Sequence, residues 1–220
     1  MNIENTLNAV FLKRCVFCGE IMPDDSEGYL CEACHKELNL KYTEFSESKT
    51  EPLDGIVHCL RYEDKIRSAI IRYKFYGAQS YHKYFGYLMY KRLKRKPNWK
   101  IDAITYVPMG LKRMMERGFN QSELLAREIG KLSGLPVEKT LRKKPLTKRQ
   151  ANLPAEKRRE NVRNKFSAVD SAAVEGKSYL LVDDVYTTGS TAAECAGALK
   201  GSGAARVYCI TLAKTVQAAE

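Results

Sequence analysis

One segment constrains the fold of this 220-residue chain more than any other: Tyr179-Leu-Leu-Val-Asp183-Asp184-Val-Tyr-Thr187-Thr188-Gly189-Ser190-Thr191. Its apolar start predicts a buried strand of a parallel sheet, with two acids at the carboxyl end, where α/β sheets place their ligands. The Thr/Gly/Ser stretch predicts a loop that opens a helix, whose free N–H groups favour phosphate. Gly189 would let the backbone approach a ligand closely. Because carboxylates accept hydrogen bonds from ribose hydroxyls, the combination favours a phosphorylated sugar.

Over its whole length this segment resembles the motif of type I phosphoribosyltransferases that binds phosphoribosyl pyrophosphate (PRPP). In that family the two acids bind the ribose 2′- and 3′-hydroxyls, which implies Asp183 and Asp184 as PRPP-binding and catalytic residues. The loop that holds the 5′-phosphate corresponds to Thr187, Thr188, Gly189, Ser190 and Thr191. The alternative is an ordinary strand–turn–helix with solvated acids. A P-loop is excluded, because the sequence has no GxxxxGK[ST].

A second segment, residues 106–121, predicts a strand followed by a Pro/Gly turn and a basic stretch. At the carboxyl edge of the sheet, Lys112, Arg113 and Arg117 would neutralise a pyrophosphate. A solvated basic turn is the alternative. The turn resembles the pyrophosphate loop of phosphoribosyltransferases, which often carries a strained peptide; Met109 and Gly110 would flank it.

The N-terminal region carries two CxxC pairs separated by twelve residues, Cys15/Cys18 and Cys31/Cys34. A CxxC turn directs two sulfurs to one ion, and zinc prefers tetrahedral thiolate ligation. Because four thiolates leave no open position, the predicted zinc is structural. Unmetallated thiols or two disulfides are the alternatives. The other cysteines, Cys59, Cys195 and Cys209, lie in apolar segments and are predicted to be core residues.

These features together resemble the ComF family of competence-associated proteins, from about Cys15 to Thr215. The resemblance rests on the CxxC pairs, the Val-Pro turn, Arg117-Gly-Phe-Asn-Gln121, residues 141–153, Arg158/Arg159, Asn161-Val162 and Phe166. It implies a type I phosphoribosyltransferase fold, PRPP with Mg²⁺ as ligands, and a part in the uptake or processing of single-stranded DNA.

The predicted organisation is a zinc ribbon over residues 1–40, a linker over 41–55 and a phosphoribosyltransferase-like α/β domain over 56–220. Strands are predicted at 55–60, 102–107, 137–141, 165–169, 178–183 and 206–213. Helices are predicted at 63–76, 81–96, 120–132 and 191–201, with Gly134 as a helix stop. Residues 142–165, with ten Lys/Arg, are predicted to be exposed and mobile, and phosphoribosyltransferases have a loop there that closes over PRPP.

The net charge of +11 favours polyanionic partners. No apolar stretch approaches the roughly 20 residues of a membrane span, and the first 15 residues lack the order of a signal peptide. We therefore expect a cytoplasmic protein. The helix predicted at 81–96 has its tyrosines on one stripe, which favours packing in the core. The same rings, together with the basic end of the helix, would also suit the stacking of single-stranded bases.

Two functions remain open. The first is phosphoribosyl transfer from PRPP to an unknown acceptor, in a protein that acts in DNA uptake together with DNA-uptake proteins. The second is a non-catalytic zinc protein that binds single-stranded DNA and uses PRPP only as ligand or regulator. A structural zinc adaptor with a vestigial ligand site is a weaker third.

Overall fold

A computed structural model describes residues 13–23, 28–41, 51–144 and 165–215. The helices are α1 Glu32–Lys41, α2 Asp64–Phe75, α3 Tyr81–Leu93, α4 Leu111–Arg117, α5 Gln121–Ser133 and α6 Ser190–Lys200. The strands are β1 Gly55–Arg61, β2 Ala103–Tyr106, β3 Leu141–Lys143, β4 Phe166–Ala168, β5 Ser178–Tyr186 and β6 Arg206–Lys214.

Four parallel strands form the main sheet in the order β1-β6-β5-β2 among the described residues. Consecutive residues of a strand point to opposite faces. Leu180 and Val182 accordingly pack with α2, α3 and α5, whereas Tyr179 and Leu181 pack with α6. The predicted α/β class, a parallel sheet between helices, is confirmed.

Two of the predicted strands lie outside this sheet, which corrects the expected strand count. β3 and β4 pair with each other antiparallel instead. Each buries one large side chain, Leu141 and Phe166, in the core that also packs on α6. From the predicted strand at 137–141, Val137 alone continues the main sheet, through an isolated parallel bridge to Ile104.

The four predicted helices are confirmed to within a few residues. The amide of Ser122 donates to Asn120 Oδ1 at the start of α5, and Gly134 ends it with φ +76°. Tyr84 of α3 is buried, as core packing predicts, but Tyr87 is 42% exposed. Two helices were not anticipated: α1, and α4, which buries no residue and replaces part of the expected basic turn.

The described N-terminal residues 13–23 and 28–41, here called the cysteine module, pack against α2 and α3. Phe17 is buried, with its ring centroid 5.9 Å from that of Tyr84 and 6.2 Å from that of Phe85. Just before β1, Leu53 is buried and Asp54 pairs with Lys200 at 2.8 Å. None of the described helices combines the length and apolarity that crossing a bilayer requires.

Candidate functional site

The two acids lie in the carboxyl half of β5, which continues past them to Tyr186. Asp183 Oδ1 accepts hydrogen bonds from Ser122 Oγ at 3.0 Å and from the Asp184 amide at 2.9 Å. Burial raises the pKa of Asp183 to about 7, and the charge of neighbouring Asp184 acts in the same direction. Both effects favour the protonated form of this carboxyl group.

Asp184 has a different partner. Its Oδ1 lies 2.8 Å from Lys74 Nζ, and both side chains are only 15% exposed. Lys74 belongs to α2, more than a hundred residues away in sequence, and sequence reasoning missed it. Because no local pattern distinguishes it from Lys65, the other lysine of its helix, packing alone identifies it. Two adjacent carboxylates are thus held in unlike environments, a hydroxyl for one and an ammonium for the other.

The Thr/Gly/Ser loop follows β5 directly and opens α6 at Ser190. Gly189 has φ +79°, which favours glycine, and a Cβ there would collide with the ring of Tyr186. The hydroxyls of Thr188 and Ser190 lie 2.9 Å apart, and the loop side chains Thr187, Thr188, Ser190 and Thr191 are exposed. The loop therefore presents hydroxyls and a helix N-terminus at the surface, an arrangement suited to a phosphate.

The predicted pyrophosphate turn leaves β2 beside the acid strand. The Val107 amide donates to the Val182 carbonyl at 3.1 Å. Met109 and Gly110 follow, half-buried, and Gly110 is in ordinary extended conformation before α4. The strained peptide expected there is not seen as a cis bond, since the one cis peptide of the described residues is Glu51–Pro52.

The three basic residues predicted to bind pyrophosphate lie in different environments. Lys112 and Arg113 are exposed on α4. Arg117 is half-buried, with its guanidinium carbon 4.4 Å from the Phe75 ring centroid. Burial lowers the pKa of Arg117, whereas Asp184 stabilises its charged form. The structure thus brings one of the three toward the acid pair.

Residues 117–122 brace the turn against the acids. Arg117 Nη1 donates to Gln121 Oε1 at 3.1 Å, and Asn120 Nδ2 donates to the Val107 carbonyl at 3.0 Å. Ser122 then reaches Asp183. Within this brace Asn120 contacts the turn and Ser122 contacts the acid, whereas Arg117 and Gln121 contact each other.

A second group of cations lies beside Gly110. The Lys143 side chain passes within ordinary contact of the space where a Cβ of Gly110 would stand. Burial lowers the pKa of Lys143, and the charges of Arg113 and Lys165 lower it further. Lys143 and Lys165 belong to the basic stretch 142–165, of which residues 145–164 lie outside the described residues. The closing loop predicted for that stretch remains a prediction.

The four cysteines form one cluster, with all four sulfurs within 4.8 Å of one another. The sulfurs of Cys18 and Cys31 are 3.7 Å apart, too far for a disulfide, and all four are free thiols. Tetrahedral zinc with bonds of about 2.3 Å would separate its sulfurs by about 3.8 Å, so the donor set fits a structural zinc ion. The second CxxC pair opens α1, whereas the first forms a turn.

The backbone around Cys15 favours its thiolate. Burial raises the pKa of Cys15, but hydrogen bonds from the backbone of Cys18, Cys31 and Phe17 outweigh burial and lower it to about 7. A thiolate is the form that binds a metal. Sequence reasoning identified all four sulfurs, and the structure brings them together.

No family model matches the chain. It is 34% identical over 170 residues to the DNA utilization protein YhgH of Salmonella typhi, across 76% of this chain and 69% of that protein. It is 29% identical to Competence protein F of Haemophilus influenzae, across 91% of this chain and 96% of that protein. Some other proteins named YhgH match over about half of their length.

Among solved structures, glutamine PRPP amidotransferase from B. subtilis, complexed with ADP and GMP, superposes with a TM-score of 0.47 and 26% identity. The superposition covers 64% of this chain and 30% of that one. A further relative by sequence, Competence protein ComFC of Bacillus subtilis, is 29% identical across 70% of this chain and 62% of that protein. By its similarity to the competence proteins and to YhgH along most of its length, the chain belongs to the ComF family.

Proposed function

We propose that this protein binds PRPP at the carboxyl edge of its sheet and acts in DNA uptake during natural transformation. One observation carries the proposal: the acid pair of β5 runs directly into a hydroxyl-bearing loop at the start of α6. An anion site next to two carboxylates suits a ligand that has a phosphate at one end and hydroxyls beside it. PRPP has both.

The pyrophosphate end would lie toward the basic turn. Arg117, from the brace, and Lys143, from β3, supply positive charge on that side, where charge-assisted hydrogen bonds to phosphate oxygens are strong. Magnesium, when bound with PRPP, would neutralise pyrophosphate charge and stabilise it as a leaving group. Asp183 and Asp184 would orient the ribose through its hydroxyls and stabilise positive charge that develops at C1.

In its catalytic form the proposed reaction is phosphoribosyl transfer. The bond from C1 to the pyrophosphate oxygen breaks with its electron pair on pyrophosphate, and an acceptor nucleophile, most simply a nitrogen, forms the new bond to C1. The acceptor is to be sought by a panel assay of pyrophosphate release. If PRPP binds without turnover on any acceptor, the ligand is a regulator and the non-catalytic alternative stands.

Titration calorimetry with PRPP and Mg²⁺ tests the binding. We expect the wild type to bind and the Asp183→Ala/Asp184→Ala variant to lose binding. Glu128→Gln on α5 is the matched control, because it also removes a negative charge but keeps the side-chain shape. Equal binding by the wild type and the double variant would refute the site.

We also propose that the protein is cytoplasmic and that its four-cysteine cluster holds one structural zinc ion. The sulfur separations and the free thiols support it. With four thiolate ligands the ion would have no position for substrate, so its effect would be on folding.

Single-stranded DNA is the second candidate ligand. The names of the relatives, the charge of +11, and two exposed tyrosines, Tyr29 of the cysteine module and Tyr87 of α3, support it. The ring centroids of Tyr29 and Tyr84 are 5.4 Å apart with the rings tilted by 35°, and Lys91 Nζ lies 5.5 Å from the ring centroid of Tyr87. Aromatic rings flanked by cations suit bases and a phosphate backbone.

Fluorescence anisotropy with a short oligonucleotide at several salt concentrations tests this candidate. Affinity should fall steeply with salt, and Lys91→Ala should weaken binding more than Lys139→Ala, which removes an equally exposed charge elsewhere. An affinity that does not change with salt concentration, or an equal loss of affinity in both variants, would exclude α3 from the proposed DNA-binding surface.

A further inference from the structure

Three consecutive residues of α2 contact three different parts of the molecule. Arg72 Nη2 donates to the carbonyls of Val16 at 3.1 Å and Phe17 at 2.7 Å. The Tyr73 hydroxyl donates to the Gln121 carbonyl at 2.9 Å. Lys74 pairs with Asp184 at 2.8 Å. One turn of helix therefore joins the cysteine cluster, the brace and the acid pair.

The Arg72 contact ties α2 to the first cysteine turn. Val16 and Phe17 are the two residues between Cys15 and Cys18, so one guanidinium nitrogen contacts both residues enclosed by the first cysteine pair. The guanidinium also lies in ordinary contact with the space beside Gly19, which follows the turn. Near the other end of the helix, Lys65 Nζ pairs with Glu37 of α1 at 2.9 Å. Both ends of α2 are thus attached to the cysteine module.

The Tyr73 contact leaves the helix little freedom to rotate. Tyr73 is fully buried, and its ring packs edge-on against Phe85 with centroids 5.6 Å apart. A helix turn is rigid over three residues because its hydrogen bonds fix the backbone. A displacement at Arg72 is therefore passed on to Lys74.

Lys74 is the one cation with a direct ion pair to Asp184 among the described residues. An ammonium has three donors, so one can stay on Asp184 while another reaches a phosphate oxygen. It would also oppose the repulsion that two neighbouring carboxylates feel when a polyanion enters. This role of Lys74 rests on the proposed PRPP site.

We propose that Lys74 is a further PRPP-binding residue, and that the four-cysteine module positions it through Arg72. Lys74 contacts the ligand and the acid pair, whereas Arg72 is a positioning residue that contacts neither. The N-terminal module is then a structural part of the ligand site, although none of its residues lines that site.

Variants of α2 test both halves of the proposal. Calorimetry with PRPP and Mg²⁺ should show that Lys74→Met weakens affinity about tenfold or more, the scale of one lost charge-assisted hydrogen bond. Lys74→Arg should restore part of it. Arg72→Met should weaken affinity several-fold while zinc content stays at the wild-type value. Arg67→Met, an exposed arginine on the same helix, is the control and should bind as the wild type does.

Hydrogen–deuterium exchange without PRPP gives a readout that does not depend on the ligand. Arg72→Met, but not Arg67→Met, should raise deuterium uptake in α2 and in residues 178–186. Arg72→Lys serves in its place if the methionine variant does not fold. Unchanged exchange and affinity in the Arg72 variant would overturn the coupling, and wild-type affinity in Lys74→Met would overturn the role of Lys74.

The two failures are distinguishable. If the wild type binds no PRPP, the proposed function fails and the exchange data still decide whether the cysteine module positions α2. If the wild type binds and the Lys74 and Arg72 variants bind equally well, this inference fails and the proposed function stands.

Discussion

The Ser122 hydroxyl donates to Asp183 Oδ1 at 3.0 Å, so the first residues of α5 hold the first acid of β5 from across the sheet edge. The second acid, Asp184, is held by an ammonium instead. Burial and the charge of Asp184 raise the pKa of Asp183, and the hydrogen bond from the neutral Ser122 hydroxyl offsets this rise only in part. Different hydrogen-bonding partners for two neighbouring carboxyl groups are a common way in which proteins separate the pKa values of the two groups.

The raised pKa predicts that Asp183 destabilises the fold at neutral and alkaline pH. The folded-state pKa is about 7, against an ordinary value of 3.8. Between about pH 4 and 7 the folded chain holds more protons than the unfolded chain, so stability falls as pH rises. Asp183→Asn should therefore raise the melting temperature by a few degrees at pH 8.

The same measurement at pH 4 is the internal control. The stabilisation by Asp183→Asn should vanish there, because wild-type Asp183 is then protonated. Thermal denaturation across this pH range checks the prediction, with Glu128→Gln alongside. A stabilisation that is the same at pH 4 and pH 8 would show that the buried charge is not its cause.

Removal of the Ser122 hydroxyl should raise the pKa of Asp183 further. The hydroxyl favours the ionised carboxylate, so Ser122→Ala removes a stabilising contact, worth about 1–3 kcal/mol to a charged group. NMR titration of the carboxyl carbon reports the pKa directly. Ser133→Ala, in the last turn of the same helix, should leave it unchanged. A pKa that falls in Ser122→Ala would contradict the hydrogen bond.

Gly189→Ala should destabilise the protein through two additive causes. Its φ of +79° costs an L-residue about 1–2 kcal/mol, and the new methyl group would collide with the Tyr186 ring. Gly176→Ala separates the causes, because Gly176 has φ +74° and open space around it. Urea denaturation should show a larger loss for Gly189→Ala, and equal losses would mean that Tyr186 moves away freely.

Loss of one thiolate should abolish the proposed zinc binding and weaken the whole domain. Cys18→Ser should reduce bound zinc from one ion per chain toward none, measured by a colorimetric chelator after unfolding. Because Cys15, Val16 and Phe17 belong to the same core as α2 and α3, the melting temperature should fall as well. Cys59→Ala, at a buried cysteine outside the cluster, should keep its zinc. One zinc per chain in Cys18→Ser would contradict the four-thiolate site.

Local sequence determined the acid pair, the loop after it and the cysteine pairs. In each case the chemistry depends on residues a few positions apart, so strand, turn and ligand set could be read together from one segment. The helices α2, α3, α5 and α6 were predictable for a similar reason, because their apolar periodicity and glycine stops are local.

Tertiary structure alone decided which groups complete the site. Lys74 and Ser122 reach the acids from helices that lie far from β5 in sequence, and Arg72 reaches the cysteine turn across more than fifty residues. Likewise, the apolar residues of β3 and β4 indicate strands, but their antiparallel pairing apart from the main sheet depends on the space beside α6. Such contacts are set by how helices and strands pack, since ion pairs and hydrogen bonds between distant segments leave no periodic pattern in the chain.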